Sequence, residues 1–106
     1  MEFIEYQNVS ITVCNKEAKV IYQNDTSQKN FGSVIGNSLF DCHQEKSSEK
    51  IRDLLANGGT NAYTISKNGI KKLIYQTVWK NEQNQIQGLI EYSMIIPEQM
   101  QHFVRS

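Results

Sequence analysis

The chain has little of several things, and each shortage excludes something. It has one proline, two cysteines, no excess of charge and no long apolar run. Eleven basic residues balance eleven acidic ones, so no basic stripe offers itself to nucleic acid and no acidic tail acts as a solvating segment. No apolar run approaches the roughly 18 residues of a membrane span. Neither nucleic acid nor a membrane is therefore expected as a partner. Two cysteines, Cys14 and Cys42, are too few for a disulfide scaffold and are expected as free thiols in a reducing compartment. The N-terminal MEFIEYQNVS lacks a signal peptide's basic start and apolar centre, so the expected setting is cytoplasmic. What is present suffices for a fold. Hydrophobic residues make up 39% of 106 residues, above the disordered range and enough for one domain with a modest core.

The chain reads as strands parted by polar breaks. VSITVC (9–14) alternates Val9, Ile11 and Val13 against Ser10, Thr12 and Cys14, the period of a half-buried strand. A buried Cys14 would behave there as a small apolar residue. KVIYQN (19–24) has the β-branched and aromatic content of a second strand, and the two read as a hairpin. DTSQKNFG (25–32) predicts a short helix anchored by Phe31, with Asp25, Thr26 and Ser27 as candidate caps and Gly32 as its end. Gly36 and Asn37 break the next segment, whose Val34, Ile35, Leu39 and Phe40 point inward.

EKSSEKIRDLLANGG (45–59) predicts the longest helix. Ile51, Leu54 and Leu55 form one stripe, Ser47 or Ser48 caps the start, and Gly58 closes it. NAYTISK (61–67) then runs into Asn68-Gly69, the strongest short hairpin signal. KKLIYQTVWK (71–80) and QIQGLIEYSMII (85–96) each alternate an apolar face with a mixed one. Pro97 stops the last strand. In EQMQHFVRS, Met100, Phe103 and Val104 keep helical spacing and predict the start of an outgoing helix. The order implies an α+β fold: a five-stranded antiparallel sheet with short helices and one longer helix packed on one face. Residues 1–106 form a single domain with its core over about 5–96, and 97–106 begin a C-terminal extension.

In this order the segments resemble a PAS domain. KVIYQNDTSQKNFG is similar to that family's second strand, the Asn after it, and a short helix ending in Gly. VIGNSLFDCH is similar to its iG-x-s-l-x-d segment, with the DCH variant of a bacterial subset of sensors. EKIRDLLANGG resembles its long helix. NGIKKLIYQTVWKNEQNQIQGLIEYSMII resembles its closing hairpin, with Gly88 at the family's G-x-x-G position. Two departures stand out. Ala18 follows Glu17 where the first hairpin turn usually carries Gly, and Ile95-Ile96-Pro97 stands where the family usually ends in Asp-Ile-Thr, the tie to an output helix.

The resemblance implies a non-catalytic sensory module, cytoplasmic and homodimeric. A small-molecule ligand would lie between helices and sheet and shift the balance of two sheet–helix arrangements. The implied pocket lining is Ile21, Phe31, Ile35, Leu39, Phe40, Ile51, Leu54, Leu55, Ile74, Gln76, Val78 and Ile90, with Gln76 and Ser93 the polar positions suited to ligand recognition. The same side chains could instead fill a solid core, which would make the chain a ligand-free interaction or dimerisation module. Trp79, Tyr75 and Tyr92 pack the sheet in one reading and present a partner face in the other.

Cys42-His43 also has two readings. As a helix entry, Asp41 caps a turn, Cys42 packs under the helix and His43 is partly exposed. As a ligand site, His43 would be the axial ligand of a haem in a redox or gas sensor, since haem-binding members of the family use a His from this region. Zinc is not expected, because it wants four ligands and only Cys14 and His102 remain, at no recognised spacing. Covalent flavin chemistry needs the motif G-R-N-C-R-F-L-Q. With Gly36 aligned to its Gly, Leu39 stands at the reactive Cys position and Cys42 comes three residues late, so only non-covalent flavin stays open. Catalysis by Cys42 would need a nearby base and an oxyanion donor pair. No G-x-G-x-x-G, Walker loop or paired-carboxylate motif is present, and no enzyme activity is expected. The cofactor is left open.

Overall fold

Alternating side chains build the sheet and one amphipathic helix covers it. The computed structural model describes residues 1–42 and 45–106. The strands β1 (Ser10–Asn15), β2 (Val20–Gln23), β3 (Thr60–Lys67), β4 (Ile70–Lys80) and β5 (Ile86–Ile95) form one sheet in the order β2-β1-β5-β4-β3. Every neighbouring pair is antiparallel. Between β2 and β3 come α2 (Asp25–Phe31), a 3-10 turn (Leu39–Cys42) and α3 (Glu45–Asn57). α2 packs on β1 and β2, and α3 on β3, β4 and β5. A four-residue helix α1 (Glu2–Glu5) precedes the sheet.

The turns follow local chemistry. Asn68 and Gly69 both take positive φ, 54° and 78°, as a tight β3–β4 hairpin requires. α2 is capped by Asn24, one residue before the expected caps: its Oδ1 accepts from the Ser27 N–H at 2.9 Å. α3 starts at Glu45, earlier than a Ser47 or Ser48 cap would place it, and Ser48 is buried within it. The Gly58 N–H closes α3 on the Leu54 carbonyl at 2.7 Å. Residues 97–106 form no helix. Instead the Ile96 N–H donates to the Lys71 carbonyl, and Lys71 Nζ to that of Glu98.

The face the helices cover is set by strand parity. Ser10, Thr12 and Cys14 of β1 pair with Ser93, Glu91 and Leu89 of β5, which in turn pair with Ile74, Gln76 and Val78 of β4. These residues share the covered face. Cys14, Ala18, Val20, Leu39, Ile51, Leu54 and Leu89 form the apolar core at one end, with Val34, Phe40, Leu55 and Val78 against it. The opposite face carries Ile11, Val13, Tyr22, Leu73, Tyr75, Trp79, Ile90 and Tyr92, and there the Tyr22 hydroxyl donates to the Glu5 carboxylate of α1.

Candidate functional site

The covered face is apolar only at one end; at the other it is polar and buried. Part of that polarity ties α2 to the sheet. Thr12 Oγ1 and Ser27 Oγ lie 2.6 Å apart, and Gln23 Nε2 donates to Ser27 Oγ at 2.9 Å and to the Gly32 carbonyl at 3.0 Å. Gln23 Oε1 accepts the Val34 N–H at 2.8 Å. Asn24 is saturated: its Oδ1 accepts from Ile11 and Ser27, and its Nδ2 donates to the Ile4 and Val9 carbonyls. With four partners it serves structure alone.

The remaining polar groups form a second set. Gln76, 2% exposed, links three strands. Its Oε1 accepts from Asn61 Nδ2 at 3.1 Å, and its Nε2 donates to Glu91 Oε2 at 2.7 Å. The half-buried Glu91 carboxylate is felt across the face. Burial chiefly pushes the Cys14 thiol up to about 11, with the Glu91 charge adding to it. Burial and then Glu91 also raise the Tyr63 hydroxyl.

This polar end opens into a groove of about 850 Å³. The segment Tyr6 to Val9 and α2 form one wall, and Lys72, Ser93, Met94 and Ile95 the other. Thr26 Oγ1 donates to the Gln7 carbonyl and holds the first wall to α2. Opposite Ser93 stands Ser10, 1% exposed. Its Oγ is, among the described residues, the one buried side-chain polar atom with no hydrogen-bond partner. Such orphans are rare and call for a reason.

No family model matches this chain, and no curated protein matches it. Solved structures do. The PAS domain of the histidine kinase ThkA aligns at TM-score 0.69 and 18% identity, covering 83% of this chain and 99% of that one. A PAS domain from Colwellia psychrerythraea aligns at TM-score 0.67 and 18% identity, covering 90% and 92%. The fold is that of a PAS domain. VqmA of Vibrio cholerae also shares the fold, at TM-score 0.72 and 14% identity over 92% of this chain and 50% of that one. It is described as a dimer with a target DNA, and in another structure as bound to DPO.

The residues implied as pocket lining do not meet in one place in this chain. Leu39, Ile51 and Leu54 are inside the apolar core, with Val78 packed on it. Ile74 and Gln76 are buried on the covered face. Phe40 and Leu55 flank a separate hollow of about 350 Å³, where the Arg52 guanidinium lies 4.4 Å from the Phe40 ring centre. Ile21, Phe31 and Ile35 are 46%, 49% and 50% exposed. Ile90 pairs with Val13 and Thr77 on the open face and does not border the groove. Sequence reasoning passed over Ser10, Thr12, Lys72 and Glu91, whose signal was their shared parity with Gln76 and Ser93.

His43 and the Cys42 side chain lie outside the described residues, and with them the haem and helix-entry readings of that pair. Among the described residues no cluster of three metal-binding side chains occurs, and no helix is long and apolar enough to cross a membrane.

Proposed function

We propose that this PAS domain is a sensory module that binds a small polar ligand on the covered face and performs no catalysis. One observation carries the reading: Ser93 lines an open groove, the buried Ser10 paired with it lacks a hydrogen-bond partner, and the buried Gln76 with the half-buried Asn61 and Glu91 continues this polarity along the covered face. A self-filling core has no use for this concentration of desolvated polarity. The description of VqmA as bound to DPO supports a ligand role for a domain of this shape. The module works in the cytoplasm as a homodimer, and the ligand state reaches the second copy through the open face of the sheet. The balanced charge offers no excess of positive charge to DNA, so the DNA of VqmA is not carried over.

Native mass spectrometry of the freshly purified chain, followed by thermal-shift screening of polar metabolites, tests this. A bound mass, or a melting rise that Gln76→Leu removes, is expected. A clean apo mass with no rise from any compound would leave the fold as a dimerisation module.

A further inference from the structure

We propose that the groove takes the carboxylate of a small organic acid, with Lys72 supplying the charge and Ser93 and Ser10 the hydroxyl donors. This rests on the ligand-binding reading above and names the class of ligand. Lys72 shares the covered face with Ile74, one step along β4 from the Ile74–Ser93 pair. Diagonal neighbours of this kind stand about 7–8 Å apart, within reach of a long side chain. Both residues line the groove.

The charge balance points the same way. The groove holds Asp25, Lys29 and Lys72. Lys29 is tied to Asp25 at 2.9 Å, while Lys72 enters no ion pair among the described residues. One positive charge is left uncompensated. Across the strand from Ser93, the Ser10 hydroxyl is buried without a partner, an unfavourable state for a polar group. An oxygen acceptor held by Lys72 and Ser93 would receive that hydroxyl. One free cation suits a monoanion; a phosphate dianion would ask for more, and Asp25 opposes it. The volume of about 850 Å³ and the apolar Val9, Met94 and Ile95 leave room for an organic body beyond the head group.

The test titrates the full ¹⁵N-labelled chain with sodium butyrate and sodium phenylacetate, beside the matched neutral amides butyramide and phenylacetamide. Backbone amide shifts are the readout. Saturating shifts around Ser10, Lys72 and Ser93 are expected for the acids, with much weaker response to the amides. Lys72→Met should weaken acid binding by about tenfold, whereas Lys29→Met should change it by less than about threefold. The acid–amide comparison needs no variant and stands if Lys72→Met folds poorly. Equal binding of acid and amide in the groove would overturn the carboxylate assignment while the ligand reading survives. No saturating shift from any of the four probes overturns the assignment, and the mass and thermal-shift results then decide the ligand reading separately.

Discussion

The Trp79 indole nitrogen donates to the Cys14 carbonyl at 3.0 Å, reaching from β4 to β1 across β5. The crossing is open because residue 88, paired with Trp79 on one side and Asn15 on the other, is glycine. A Cβ there would lie 1.9 Å from the Cys14 carbonyl oxygen and 2.5 Å from the indole nitrogen. Gly88→Ala must therefore push the indole out or part the strands. We expect a loss of about 3 kcal/mol or more in urea unfolding, at the upper end of overpacking costs. Trp79→Phe keeps most of the ring and loses one hydrogen bond, so about 1 kcal/mol is expected.

Gly69 gives the opposite case. Its φ is 78°, and nothing lies within 4 Å of an added Cβ. Gly69→Ala costs only backbone conformation, about 1 kcal/mol. The same urea series should rank it well below Gly88→Ala; a reversed order would mean that the indole does not lie over Gly88.

Asn24→Asp separates two jobs of one side chain. A carboxylate still accepts from the Ser27 and Ile11 N–H groups but cannot donate to the Ile4 and Val9 carbonyls. We expect α2 to keep its protection in hydrogen exchange while residues 4–9 lose theirs. Asn24→Ala should lose both, with a stability cost of about 2 kcal/mol or more from the cap and the stranded carbonyls.

Alkaline pH should weaken the fold through Cys14. The buried thiol is held neutral, with its pKa raised from 9.0 to about 11. The folded value lies above the unfolded one, so the contribution is complete below pH 9 and is lost as pH rises through about 11. A two-unit shift corresponds to roughly 2–3 kcal/mol. Urea midpoints at pH 8 and pH 11 should fall further apart in the natural chain than in Cys14→Ala. Equal differences would show that the thiol ionises without leaving the core.

The open face of the sheet carries Tyr75, 38% exposed, its ring tilted 58° to that of Tyr92 with ring centres 6.3 Å apart. If a second copy covers that face, Tyr75→Glu should convert a dimer to a monomer in sedimentation with little loss of monomer stability. An unchanged dimer would move the interface elsewhere.

The succession of the five strands, α2 and α3 along the chain and both long alternations were legible in the sequence, because Asn68-Gly69, Pro97 and the Ile51–Leu54 stripe act locally. Which face turned inward was not. On β1 the usual rule would bury Val9, Ile11 and Val13, yet Ser10, Thr12 and Cys14 face the helices. The polar parity is tolerable inside because Ser27 and the β5 residues meet it. Ile90 was misplaced for the same reason: apolar character suggested the interior, and pairing decided otherwise. The outgoing helix failed because Met100, Phe103 and Val104 remain exposed, and a short helix without a packing partner is marginal. Lys72 and Ser10 carry no motif at all; only the register of three strands sets them on either side of Ser93.

Ala18 sits at a φ of 63° with no exposed surface, while its carbonyl receives the Leu39 N–H at 2.7 Å. Backbone handedness favours glycine there, and the surrounding core leaves no space for anything beyond a methyl group. Position 18 thus has an alphabet of two letters. In a saturation library it should be among the least permissive sites of the chain, although it belongs to an ordinary hairpin turn far from the groove lining.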